Sequence, residues 1–434
     1  MAHNIIIGRS LQDAKKLGMR GLIFIGKNYV KMGQTTSLSS NIYLDVNNAH
    51  VILISGKRGS GKSYTLSVIA EEVTRLSDDV KKNLSVLILD TMGIFWSMKY
   101  PNLKQEGLLK DYNLKPTGLD VNVYTPKGKF DEYKKKNIPT DFNFSIKPSE
   151  LDAGDWCNVF NISLMDDKGV LIERVMGGLE GDYDIKDIIK WIGKDKKSAI
   201  NVKNAVENRF RAAELWGLFD KEGTKIKDIV KEGEVSILDV SCYTDWNIKT
   251  LVIGILGKKL LQERMDIRKI EEMESIEEGQ HYFDLDKKKK GMPLVWIMID
   301  EAHEFLPKVG RTPASDALIQ ILREGRQPGI SLVLATQQPG EIARDVMTQS
   351  DIVISHRVTA RLDIEALNSI MQTYLTGDIL SYLNNLPRLK GSAIILDDNS
   401  ERIYPMRTRP KLSWHGGDAP SAVRIKKNIL DLGI

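Results

Sequence analysis

The stretch that decides the fold runs from Val51 to Val73 and reads VILISGKRGSGKSYTLSVIAEEV. Its apolar opening, Val51 to Ile54 with Ser55, predicts a buried strand. Gly56-Lys57-Arg58-Gly59-Ser60-Gly61-Lys62-Ser63 then fits G-x-x-x-x-G-K-[ST] without a mismatch. Leu66, Ile69, Ala70 and Val73 follow at helical spacing, so a helix begins at the loop and buries one face. Glycines let successive backbone N–H groups converge, and the helix N-terminus adds partial positive charge at the same point. Lys62 is placed to reach the β- and γ-phosphates of ATP, and the Ser63 hydroxyl to bind Mg²⁺. The candidate nucleotide-binding segment is therefore Gly56 to Ser63 together with Tyr64.

Outward from this unit, further apolar runs read as strands: Val86–Leu89, Val235–Asp239, Leu294–Ile299, Ile330–Ala335, Asp351–Ser355 and Ser392–Leu396. Helical spacing between them predicts an α/β fold with a mostly parallel sheet covered on both faces. The strand Leu294–Ile299 ends in Asp300-Glu301, at the sheet edge where the phosphate loop also opens. Asp300 is suited to hold Mg²⁺ through water, and Glu301 to orient and deprotonate an attacking water. The next strand ends in Thr336-Gln337, which puts an amide where it senses a γ-phosphate or holds that water. Arg326 ends a surface helix. It reads equally as a cationic finger on transition-state charge or as a helix C-terminal arginine favoured by the dipole.

Composition bounds the rest. The 434 residues are 42% hydrophobic and 28% charged, which is globular, and the net charge of +4 is compatible with nucleic acid without arguing for it. There is no run of eighteen apolar residues and no charged-then-apolar leader, so the expectation is a cytoplasmic protein with no membrane segment. Cys157 and Cys242 stand far apart without ligand-spaced neighbours and read as ordinary thiols. Residues 1–48 read as a short N-terminal β subdomain with strands at Ile5–Ile7, Leu22–Ile25 and Ile42–Val46, separated by glycines and the polar QTTSLSSN. Residues 49–99 form the first part of the core, 100–232 a mostly helical insertion, 233–417 the second part of the core, and 418–434 a tail. The charged stretch Glu271 to Gly291 is expected to be a solvated loop, its Lys287–Lys290 run being the alternative nucleic-acid contact. The tail residues Val423, Ile425, Ile429, Leu430 and Leu432 form an amphipathic segment that either ties subunits together or folds back on its own core.

The phosphate loop, Asp300-Glu301-Ala302-His303, the REGR and LATQQP stretches, and Tyr404 to Pro410 followed by Trp414-His415-Gly416-Gly417 occur in this order. Together they resemble the HerA branch of the HerA/FtsK superfamily of P-loop ATPases. The resemblance covers most of residues 42–417 and is weakest in the insertion. It implies a RecA-like core, homo-hexameric rings, Mg-ATP hydrolysis and translocation of duplex DNA. It also makes Lys62 and Ser63 the phosphate-loop residues, Asp300 the Mg²⁺ acid, Glu301 the base, Gln337 the sensor, and Arg326 a finger reaching a neighbouring subunit's site. A nuclease or other effector subunit is the expected partner. Only about fifty residues precede the first core strand, where nuclease-partnered relatives carry a fuller β-barrel. The turn Thr91 to Trp96 also departs from the family's Gly-Glu-aromatic pattern.

Three functions remain open at this level: a DNA motor, a nucleotide-gated ring scaffold that switches an effector, and a pumping ATPase of the secretion or conjugation type. For the first, Ser355-His356-Arg357-Val358-Thr359-Ala360-Arg361 is similar to the pore loop of FtsK motors, with Arg357 and Arg361 on DNA phosphates. The alternative for Arg361 is an i,i+4 pair with Glu365 on the following helix.

Overall fold

Buried parallel strands need both faces covered and their ends in register. The computed structural model, which describes residues 4–32, 35–280, 291–371 and 379–417, meets both demands. Thirteen strands among these residues join one sheet. In chain order they are β1 (Ile5–Ile7), β2 (Leu22–Met32), β3 (Thr35–Asp45), β4 (Val51–Ser55), β5 (Leu84–Asp90), β6 (Val121–Pro126), β7 (Phe142–Phe144), β8 (Val235–Asp239), β9 (Leu294–Ile299), β10 (Ile330–Thr336), β11 (Ile352–His356), β12 (Ser392–Asp397) and β13 (Arg402–Thr408). Their spatial order is β1-β3-β2-β13-β12-β11-β4-β10-β9-β5-β8-β6-β7. From β11 through β7 every pair is parallel, a RecA-like core, while β11 to β12, β12 to β13, β13 to β2 and β2 to β3 are antiparallel.

Register decides where the chemistry sits. Ser55 is level with both Thr336 and Ser355, Ile299 with Leu89, and Asp90 with Asp239. The carboxyl ends of six strands therefore reach one edge together, as open α/β sheets use for ligands. Alternation along the strands splits the core in two. Val86, Ile88, Trp296 and Met298 face the phosphate-loop helix Lys62–Thr74 through Leu66, Ile69 and Val73. Leu87, Leu89, Ile297 and Leu332 face the opposite layer, built from the insertion and the helix Trp246–Gln280.

Several elements differ from the sequence reading. QTTSLSSN is not a separator: Thr35–Asp45 is one long strand paired to Leu22–Met32, with register shifts that twist the ribbon. Its polar residues fall on both faces of that ribbon, Thr36 and Ser39 being exposed. The amino-terminal strands are also continuous with the core sheet, because Met406, Arg407 and Thr408 pair with Asn28, Lys27 and Gly26. In the expected helical insertion, β6 and β7, with the helix Lys127–Lys135 between them, extend the sheet ahead of the helices from Ala153 on. The helix start near Pro148 is a single 3-10 turn, and the helix proper, Ala153–Phe160, begins after a capping box of Asp152 and Asp155. The solvated loop expected from Glu271 is, as far as Gln280, the end of the long helix Trp246–Gln280. Ion pairs such as Arg268 to Glu272 support it on the surface. Lys287–Lys290 and the tail 418–434 lie outside the described residues.

Candidate functional site

The loop after β4 shows why its glycines are needed. Gly56 has φ +154°, and a Cβ there would lie 2.5 Å from the Ser60 hydroxyl and 2.7 Å from His356. Gly61, at φ +118°, opens the helix Lys62–Thr74 without a side-chain cap, leaving its first N–H groups facing the cleft. Lys62 is buried and its Nζ donates to the Lys57 carbonyl at 3.4 Å. Burial lowers its pKa, against the opposing pull of Asp300 and Glu301. An ammonium held this way is a ready partner for phosphate oxygens.

Facing it, the Ser63 hydroxyl donates to Asp300 Oδ2, and Asp300 Oδ1 accepts the Glu301 N–H at 2.9 Å. Burial raises the Asp300 pKa, the Ser63 hydrogen bond opposing. A hydroxyl and a carboxylate side by side are hard oxygen donors, and their chemistry fits Mg²⁺. Glu301 has φ +54°, a left-handed conformation unusual for a residue with a Cβ, which turns its carboxylate back over the sheet edge. There the Gln337 amide donates to Oε1, while Oε2 is buried without a hydrogen bond and lies 3.7 Å from His303 Nδ1. A carboxylate oxygen left without a donor keeps an acceptor free, as a general base needs.

Lys62, Ser63, Tyr64, Asp300, Glu301 and Gln337 line one cleft of about 920 Å³, with Arg58, Gly59 and Gly61. Lys57 is exposed, and its backbone N–H is bound to Arg357 across the loop. Tyr64 also has a structural task. Its hydroxyl donates to Gln105 and accepts the Lys411 N–H, both at 2.6 Å, and its ring meets His415 edge-on at 5.4 Å.

The proposed arginines stand apart from the cleft. Arg326 is exposed and precedes β10, at the opposite end of the strand whose far end carries Thr336 and Gln337. Seven extended residues separate those ends by about 20 Å, so Arg326 does not serve its own phosphate loop. Arg357 and Arg361 lie just beyond β11, both exposed, and Arg361 forms the 2.7 Å pair with Glu365 that the sequence offered as its alternative role.

Sequence reasoning missed the other half of the cleft. Lys390 and Arg407 add two cations to its lining, and Pro410, His415, Gly416 and Gly417 close it. This late segment is strapped to the phosphate-loop helix by Glu71, which accepts from Arg409 and the Leu412 N–H at 3.0 Å, and from the Ser413 N–H at 2.9 Å. Buried His356 is a second junction. Its Nδ1 donates to the Ser392 carbonyl, so Nε2 accepts from the Thr65 hydroxyl at 2.9 Å. Burial lowers its pKa to about 4 and keeps it neutral. The divergent turn after β5 is held by Asp90, whose carboxylate accepts the N–H groups of Met92, Gly93 and Phe95. Burial and neighbouring Asp239 raise Asp90 to about 7. The turn delivers Met92 and Ile94 to the cleft.

Comparison with known proteins matches this architecture. The family model described as the central domain of the helicase HerA matches residues 26–260, more than half of the chain. The protein described as a probable DNA double-strand break repair helicase HerA from Methanocaldococcus jannaschii is 24% identical over 72% of this chain and 63% of its own length. The DNA double-strand break repair helicase HerA of Sulfurisphaera tokodaii is 22% identical over 74% of this chain and 57% of its own. The chain thus spans roughly six-tenths of the length of these curated relatives. Among solved structures, VirB4 of Thermoanaerobacter pseudethanolicus superimposes with a TM-score of 0.54 at 12% identity, over 94% of this chain and 98% of that one, a likeness of fold. No helix among the described residues is long and apolar enough to cross a membrane. From the strand–loop–helix at Val51 to the turn at Gly417, the chain belongs to the HerA helicase family.

Proposed function

We propose that this protein is an ATPase that hydrolyses Mg-ATP and uses the energy to translocate duplex DNA as a homo-hexameric ring. The observation that carries the reading is the paired contact at the cleft's centre: Ser63 on Asp300, and Gln337 on Glu301, within reach of one phosphate loop. In-line phosphoryl transfer depends mainly on positioning and charge, and these residues supply both. Lys62 and the loop N–H groups hold the β- and γ-phosphates. Ser63 and Asp300 would hold Mg²⁺, which would supply positive charge to offset that of the phosphates. Glu301 takes the proton of the attacking water, and Gln337 fixes the carboxylate that does so.

Arg326 serves as the finger for a neighbouring subunit, a role its distance from its own cleft favours. Arg357 and Arg361 face DNA phosphates in the ring's pore. A nuclease or another effector subunit completes the assembly. The HerA names of the curated relatives support DNA as the partner. The test is ATP turnover with and without long duplex DNA, alongside the mass of the ATP-bound assembly. DNA-stimulated turnover by a hexamer is expected. Nucleotide binding and ring assembly without turnover would instead indicate a gated scaffold.

A further inference from the structure

The insertion carries a feature that the nucleotide cleft does not use. Three helices, Asp167–Gly178, Ile185–Lys194 and Ile200–Leu215, pack around buried Leu171, Val175, Ile188, Ile192, Val206 and Phe210. The last two are joined by the short turn Asp195 to Ala199. That turn is fixed from inside: Asp195 accepts from Arg174 Nη1 and the Ser198 N–H, both at 2.8 Å. Lys203 Nζ donates to the carbonyls of Gly193 and Asp195 at 3.0 and 2.8 Å. Outside, Lys194, Lys196 and Lys197 are exposed and hold no ion pair among the described residues.

The helix after the turn has an unusual outer face. Asn201, Asn204, Asn208 and Arg211 are exposed at three- and four-residue intervals, so they form one stripe. No acid interrupts it. Glu207 and Glu214 flank it, Glu207 holding Arg211 in an ion pair at 2.6 Å and Glu214 pairing with Lys186 at 3.8 Å. Amides are groups that read base edges, Asn on adenine, while unpaired lysines at the preceding turn suit phosphates.

We propose that this helix–turn–helix docks on duplex DNA, with the helix Ile200–Leu215 in the major groove and the turn lysines on the backbone. The site rests on DNA being the partner proposed above, but not on ring formation or ATP turnover. B-form DNA is the occupant because its major groove admits a helix, whereas the deep, narrow groove of A-form RNA does not. The insertion then gives the protein a grip on DNA that is independent of the pore and of nucleotide.

The experiment is fluorescence anisotropy of the full chain with a labelled duplex of roughly three helical turns, without nucleotide, across a salt series. The triple variant Lys194→Ala, Lys196→Ala, Lys197→Ala is expected to lower the salt slope by about two to three and to weaken binding at low salt by about tenfold or more. The double variant Asn204→Asp, Asn208→Asp puts negative charge against the groove and is expected to weaken binding to a similar degree. Melting temperatures within error of the wild type show that both variants fold. Wild-type affinity and slope in either variant overturns the site, as does a wild-type protein that binds no duplex or binds an RNA duplex equally well. DNA-stimulated ATP turnover beside unaffected binding by the lysine variant sinks this site and leaves the motor standing. Lysine-dependent binding without any DNA-stimulated turnover does the reverse.

Discussion

The backbone N–H of Lys57, inside the phosphate loop, donates to the carbonyl of Arg357 across 3.0 Å. Two adjacent parallel strands, β4 and β11, thus end in loops that are bonded to each other. On the proposed function, a change in the first loop on ATP turnover is expected to reach the second through this bond. Replacing Arg357 and Arg361 by Ala is expected to abolish stimulation of ATP turnover by duplex DNA. It should also lower the salt slope of binding by about two. A double variant with wild-type stimulation and slope would remove this segment from the DNA path.

Glu301 and Lys62 are expected to fail differently. Glu301→Gln keeps the shape that Gln337 holds but removes the proton acceptor, so ATP binds and turnover falls by about 10²–10⁴. Lys62→Ala removes a cation on the phosphates, so ATP binding weakens along with turnover. Equilibrium binding of a fluorescent ATP analogue, beside steady-state turnover, separates the two. Near-normal turnover by Glu301→Gln would reassign the base.

Because Arg326 lies beyond reach of its own cleft, its contribution is expected only in assemblies. Arg326→Ala subunits mixed with Glu301→Gln subunits should recover ATP turnover that neither supports alone, since such fingers are worth on the order of 10³–10⁵ in rate. Recovery requires mixed rings, verified by mass. No gain in verified mixed rings would return Arg326 to its dipole-favoured place at a helix end.

His50 makes folding stability depend on pH. It is buried, which by itself disfavours charge, yet a bond to Asp351 at 2.6 Å and the carboxylate of Asp45 3.6 Å away raise its pKa from 6.5 to about 9. The proton is held more tightly in the folded state, so this stabilisation is full below pH 6.5 and is lost as pH rises through 9. The contribution is on the order of 3 kcal/mol. Urea midpoints measured between pH 6 and 10 should fall across that window, and His50→Gln should flatten the trend. A slope that persists in the variant would place the titration elsewhere.

The central strands and acids were legible because each is written locally. A continuous apolar run ending in Asp300-Glu301 can only be a buried strand delivering carboxylates to the sheet edge. Thr35 to Asn41 misled because this stretch of the ribbon buries neither face fully, so its consecutive polar residues look like a loop. Glu271 to Gln280 misled for a related reason: a helix projecting past its packing partners carries charge all round, held by pairs along its own surface. Lys390 carried no local signal, and Arg407 and His415 stood out only within stretches resembling the family, with no role in the cleft attached. They reach the cleft only because β12 and β13 fold back beside β11, which no spacing in the sequence announces.

Glu71 sets the order in which the molecule becomes competent. Its carboxylate is sealed from water, and its partners, Arg409, Leu412 and Ser413, are 338 to 342 residues further along the chain. During synthesis the phosphate-loop helix emerges long before those partners exist, by about twenty seconds or more at ribosomal speed. Until then an unpaired acid resists burial, opposing the pull of Leu66, Ile69 and Val73 that settles the helix onto the sheet. The nucleotide cleft is therefore a late product of folding, and a nascent chain stalled short of Arg409 should present the motif without holding its ligand.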